Sequence, residues 1–127
     1  MTSKPNITLT KDVHRAISKL LESVPEDIIT DQLTDELERA KLVSQSELPG
    51  DVVSMHSVIT FTVQSTGRTF TYTLVYPTEL NDTNNQLSIL SPVGSAVIGL
   101  KQGQEIDWSI SQTKRTTISV DRVVPPK

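Results

Sequence analysis

The stretch Ser91-Pro92-Val93-Gly94-Ser95-Ala96-Val97-Ile98-Gly99-Leu100 carries the reading on which the fold depends. Upstream, Leu87-Ser88-Ile89-Leu90 has the character of a short strand, and downstream Lys101-Gln102-Gly103-Gln104 reads as a turn that opens another. A Ser-Pro pair suits the start of a helix. The hydroxyl can accept from an otherwise orphaned amide, and the fixed φ of proline fits the first helical position. Gly99 suits the left-handed stop of a single short turn of helix.

Working outward, everything after Leu48-Pro49-Gly50 has the period of strands. Ile59, Phe61 and Val63 alternate with Val58, Thr60, Thr62 and Gln64, and a Ser65-Thr66-Gly67-Arg68 turn follows. Phe70, Tyr72, Leu74 and Tyr76 then fall on one face, opposite Thr69, Thr71 and Thr73. Pro77 ends that strand because it has no amide to donate. Asn81 to Asn85 is a loop by composition. Ile106, Trp108 and Ile110 form one face of a further strand. Thr117 to Val124 forms the last, with Ile118, Val120 and Arg122 on one side. About five strands in a mainly antiparallel sheet are expected, around a core of Phe61, Phe70, Tyr72, Leu74, Leu90, Ile98, Ile106 and Trp108.

Before Leu48 the period is helical. Thr10 is a suitable cap, and Val13, Ile17, Leu20, Leu21 and Val24 form one apolar stripe. Pro25 interrupts it. A second helix is expected to start near Thr30, with the stripe Ile29, Leu33, Leu37 and Ala40. Asp35 and Arg39 stand four apart and can pair on its outer face, and Asp35-Glu36 is expected to face water. Two such helices joined by a short turn fold back most simply as an antiparallel hairpin. At about 12 residues each they extend about 18 Å. The expected fold class is therefore α+β, with a helical hairpin over residues 1–47 and a sheet domain over 48–127.

Composition narrows the chemistry. The 127-residue chain has no cysteine, which excludes disulfides, thiolate metal sites and thiol nucleophiles. The polar start and the absence of a run of about 20 apolar residues lead to the expectation of a soluble cytoplasmic protein, with no membrane partner. Fifteen acids stand against twelve bases, and the nearest approach to a basic cluster is Lys114-Arg115, so direct sequence-specific nucleic-acid binding is not expected. Nine of the acids but only five of the bases lie in residues 10–47. His14 and His56 are far apart and are read as exposed or satisfied within the fold. Neither Gly94 nor Gly99 belongs to a phosphate-binding pattern. No catalytic residue, resident metal or cofactor is expected.

Two features remain as candidate sites. Glu26 and Asp27 sit together at the expected hairpin tip. Adjacent exposed acids can share a divalent cation when a second molecule completes the shell, although acids beside a helix start are also favoured by its dipole. The Ser91-Pro92-Val93-Gly94 turn is compact, uncharged and stiff, which lowers the entropy lost on docking. It can equally be a connection that packs its own valine inward.

Beyond these readings, several segments in order resemble the C-terminal domain of the bacterial Gre transcription factors. They are Pro49-Gly50-Asp51-Val52-Val53, Tyr72-Thr73-Leu74-Val75-Tyr76-Pro77, Gln86-Leu87-Ser88 and Ser91 to Leu100. The resemblance implies an FKBP-like sheet domain after a coiled-coil-like hairpin, and RNA polymerase as the partner of a monomer. In that family the C-terminal domain docks near the polymerase secondary channel. A long coiled coil enters the channel, and its tip acids hold a magnesium that promotes cleavage of backtracked RNA. Carried over, Ser91, Pro92, Val93 and Gly94 belong to the docking region, with Asp82 in the neighbouring loop, and Glu26 and Asp27 occupy the tip. Ser95 and Leu100 stand where Gre factors usually carry arginine and lysine. The shortness of the expected hairpin implies docking without reach to the reaction, hence a regulator that competes with Gre factors. The alternative is a cleavage-stimulating elongation factor.

Overall fold

In the computed structural model, residues 6–81, 85–109, 111 and 113–126 are described. The chain runs β1 (Thr8–Thr10), α1 (Lys11–Glu22), α2 (Ile28–Arg39), β2 (Lys41–Val43), β3 (Val58–Val63), β4 (Arg68–Val75), β5 (Gln86–Ser88), α3 (Pro92–Val97), β6 (Glu105–Ser109) and β7 (Arg115–Val124). Single 3-10 turns lie at Gln45–Glu47 and Pro77–Glu79. The protein is α+β.

Both N-terminal helices are 12 residues long. Thr10 caps α1, its side chain accepting from the Val13 amide at 3.2 Å. The second helix begins two residues earlier than expected, because Asp27 and not Thr30 is its cap. Asp27 accepts from the Thr30 amide (2.9 Å) while the Thr30 hydroxyl accepts from the Asp27 amide (2.8 Å), which satisfies two orphan donors reciprocally. His14 Nε2 donates to the Leu37 carbonyl at 3.0 Å, so the first turn of α1 lies against the last turn of α2.

Glu36 corrects the expectation of a solvent-facing pair. It is fully buried, whereas its neighbour Asp35 is exposed. The cause is helical geometry: position 36 is three residues after Leu33 and seven after Ile29, both of which face inward. The Arg39 guanidinium pairs with the buried Glu36 carboxylate.

A feature absent from the sequence reading is the small parallel sheet in which Leu9 pairs with Leu42. Ile7 and Leu9 are buried, and the Thr8 amide donates to the Gly99 carbonyl at 3.1 Å. Three alternating residues are too few to declare a strand by period. Their burial comes from where α3 ends: a Cβ on Gly99 would stand 2.8 Å from the Ile7 Cβ, and φ there is +80°.

The main sheet has the order β5-β4-β3-β7-β6. Its pairings are antiparallel except β4 with β5. Phe61, Leu74, Ile98, Ile106 and Trp108 are buried as expected, but Phe70, Tyr72 and Leu90 only partly so. Phe70 and Tyr72 stack on each other at 5.9 Å beside Phe61. Ile110 lies outside the described residues. Arg122 does not share the face of Ile118 and Val120. A register shift pairs Phe61 with Val120 but Thr60 with Arg122, so a bulge at Asp121 turns Arg122 outward and Val123 inward.

One hydrophobic cluster joins Ile7, Leu9, Ile17, Leu33 and Leu37 to the inner face of the sheet. The Gln32 side-chain amide adds a two-way link to the end of β6, donating to the Ser109 carbonyl (2.9 Å) and accepting from its amide (3.0 Å). The short helices thus gain from tertiary packing what they lack in length.

Candidate partner-docking surface

The turn before α3 is built from its own hydroxyls. Ser91 Oγ accepts from the Gly94 amide (3.1 Å) and donates to the Ser88 carbonyl (2.6 Å). The Ser91 amide also reaches the Ser88 carbonyl (3.0 Å), and Leu90 donates to Ser88 Oγ (3.0 Å). Pro92 occupies the first turn of the helix, as expected. Ser91, Pro92 and Val93 are half-buried, so part of each remains open to solvent. Gly94 is buried: a Cβ there would meet the Ser88 carbonyl oxygen at 2.0 Å. Its part is to let two stretches of backbone touch, which holds the three residues before it in place.

Ser95, the position at which Gre factors usually carry arginine, is fully buried. Its hydroxyl donates to the Pro92 carbonyl (2.9 Å) and accepts from Trp108 Nε1 (3.2 Å), tying α3 to β6. Leu100 is likewise buried. Asp82 lies outside the described residues.

Glu26 and Asp27 are exposed in the connection between α1 and α2. They differ in their bonding. One oxygen of Asp27 is committed to capping α2, whereas Glu26 is exposed just before the cap. Among the described residues no group of three His, Asp or Glu side chains is arranged to hold a metal ion.

A cluster that sequence reasoning did not assemble joins His56, Tyr76 and Glu79. His56 Nε2 lies 2.9 and 2.8 Å from the two Glu79 carboxylate oxygens, and the Tyr76 amide donates to Oε1 at 2.9 Å. The Tyr76 ring stands edge-on to His56 with centroids 6.1 Å apart. The bond from the Tyr76 amide is the main reason the Glu79 carboxyl lies below its ordinary value near 4.5; burial opposes it, and the bond and charge of His56 lower it further. Burial, with Glu79 nearby, pushes the Tyr76 hydroxyl up. His56 adopts φ of +72°, a left-handed conformation uncommon for a side-chain-bearing residue. A separation of 23 residues in the chain left no local signal of this contact.

Residues 47–123, more than half of the chain, match the family model described as transcription elongation factor, GreA/GreB, C-term. The chain belongs to the GreA/GreB family. The Regulator of nucleoside diphosphate kinase of Escherichia coli K12, similar to this GreA/GreB family chain, is 42% identical over 92 residues, covering 72% of this chain and 68% of that protein. GreA of Sulfurovum sp. is 33% identical over 85 residues, covering 67% of this chain and 52% of that factor. A solved GreA/GreB structure from Nitrosomonas europaea superposes with a TM-score of 0.74 at 36% identity, covering 95% of this chain and 99% of the other. No helix among the described residues is long and apolar enough to cross a membrane.

Proposed function

We propose that this protein is a non-enzymatic regulator of transcription that docks on RNA polymerase at the secondary-channel entrance. There it competes with Gre-type factors and does not stimulate transcript cleavage. It acts as a cytoplasmic monomer, with an antiparallel helical hairpin carried on an FKBP-like sheet domain. Membership of the GreA/GreB family supports the partner. The resemblance to the Regulator of nucleoside diphosphate kinase supports regulation over catalysis.

The observation that carries the reading is helix length. Two 12-residue helices extend about 18 Å, far short of the long coiled coil by which Gre factors reach the reaction centre. The locked turn at Ser91 to Val93 offers a rigid contact that loses little entropy on docking. The capping role of Asp27 accounts for one tip acid without any metal.

Capture of purified core polymerase, followed by displacement with a Gre factor, tests the proposal. Binding with mutual displacement is expected. Failure to bind, or failure to displace at high excess, overturns it. Pro92→Asp is expected to weaken capture while leaving the melting temperature unchanged, because an acid is tolerated in the first turn of a helix. On backtracked complexes, transcript length is expected to stay constant at saturating protein. Shortening that depends on Glu26 and Asp27 would instead establish the cleavage-stimulating alternative.

A further inference from the structure

A groove of about 510 Å³ runs between α1 and α2, lined by His14, Ser18, Leu21 and Glu22 of the first helix and by Thr34, Leu37 and Glu38 of the second. Leu21, Leu37, Ala40 and Leu42 give it an apolar floor, and the exposed carboxylates of Glu22 and Glu38 line it as well. Leu42 is 42% exposed, a large apolar side chain left open to water beside the groove. Its strand, β2, has β1 as its only hydrogen-bonded strand neighbour among the described residues. None of these side chains belongs to the Ser91–Val93 turn, and the proposed docking gives them no task.

We infer that this groove is a second interaction surface, which accepts a basic amphipathic helix from a partner protein. Shape and charge together select that occupant. A groove between two helices takes the ridge of a third, with apolar residues at i, i+3 or i+4, and i+7. Nine residues of α1 give it a length of about 12 Å, so two to three turns of the incoming helix fill it. Charge then chooses the sign of the flanks. The groove carries two carboxylates, and residues 10–47 hold nine acids against five bases. Exposed ion pairs contribute little affinity each, so burial of Leu42 and the leucines opposite supplies the binding, and the acids reject acidic partners. A nucleic acid strand is excluded by like charge and by the apolar floor.

The test uses the full chain and a labelled synthetic peptide of about 16 residues, with leucines at helical spacing and lysines between them. Fluorescence anisotropy is expected to show saturable binding that weakens with added salt. Replacing the lysines by glutamate, or the leucines by serine, is expected to weaken it about tenfold. Leu42→Glu, and the double change Glu22→Lys with Glu38→Lys, are each expected to weaken it about fivefold. Lys114→Glu, between β6 and β7 and outside the groove lining, is expected to change nothing, and circular dichroism checks that each variant remains folded. Equal affinity for the acidic peptide, no binding at all, or indifference to the groove variants overturns the inference. So does a concentration-dependent dimer abolished by Leu42→Glu, which would make a second copy the occupant. Polymerase capture is unaffected by any of these outcomes, so this inference and the proposed function fail separately.

Discussion

The Ser91–Gly94 turn and the Glu26–Asp27 tip are alike in plan and opposite in tolerance. Each precedes a helix, and each supplies that helix with its capping side chain. The turn, however, is pressed against the chain it left: Gly94 leaves no room for a side chain, and Ser88 receives bonds through both its carbonyl and its hydroxyl. The tip stands in solvent, with capping bonds that span only three residues. A surface meant to meet a partner in one fixed pose belongs on the first kind of structure. The second kind can change an uncommitted side chain such as Glu26 at small cost, and Asp27 only at the cost of its cap.

Substitutions at the two places should separate them. Gly94→Ala is expected to be the most damaging, costing about 3 kcal/mol or more, because backbone and not a flexible side chain stands in the way; urea unfolding would measure it. A cost below that of an ordinary surface change would mean that the turn is looser than its bonds suggest. Asp27→Ala should cost about 1 kcal/mol by loss of the cap, and Asp27→Asn should restore most of that in the same experiment. Full destabilisation by Asp27→Asn would show that charge, not capping, is what the position supplies.

The next expected effect is confined to acid. Glu79 has a lowered carboxyl in the folded chain, so its contribution is present above the ordinary carboxylate range near 4.5 and is lost as pH falls below it. Stability curves of the natural chain and of Glu79→Gln should therefore converge between neutral pH and pH of about 3. Parallel curves would remove the bond from Tyr76 and His56 as the cause. The smallest effect belongs to Glu26→Ala, which should alter stability by no more than about 0.5 kcal/mol in the same melts. A larger loss would place the side chain in a contact and blur the difference between tip and turn.

Local signals were enough for much of this. The Ser-Pro start and the glycine stop of α3, the cap at Thr10, the length of both N-terminal helices and the alternation of β3, β4 and the first part of β7 all arise from interactions within a few residues, and these are written along the chain. So was the family, because ordered segments between Pro49 and Leu100 survive as sequence. The departures from expectation have two sources, helix rotation at one position and a distant strand at another. Charge alone points Glu36 to water, but the helix rotates it into the stripe shared by Leu33 and Leu37, where Arg39 meets it. Strict alternation puts Arg122 on the face of Ile118 and Val120, and a bulge opposite Thr60 and Phe61 reverses it.

The amino acids alone determined the three helices and the extended runs of the main sheet, though not the short β1 and β2, since capping, proline and side-chain period act over one or two turns. Tertiary structure alone decided that Ile7 and Leu9 close the core beneath Gly99, that Gln32 ties a helix to the end of β6, and that Glu79 reaches back to His56. These contacts join residues 23 to more than 90 positions apart. Their free energy depends on burial and on bonds that exist only once the sheet and helices have packed.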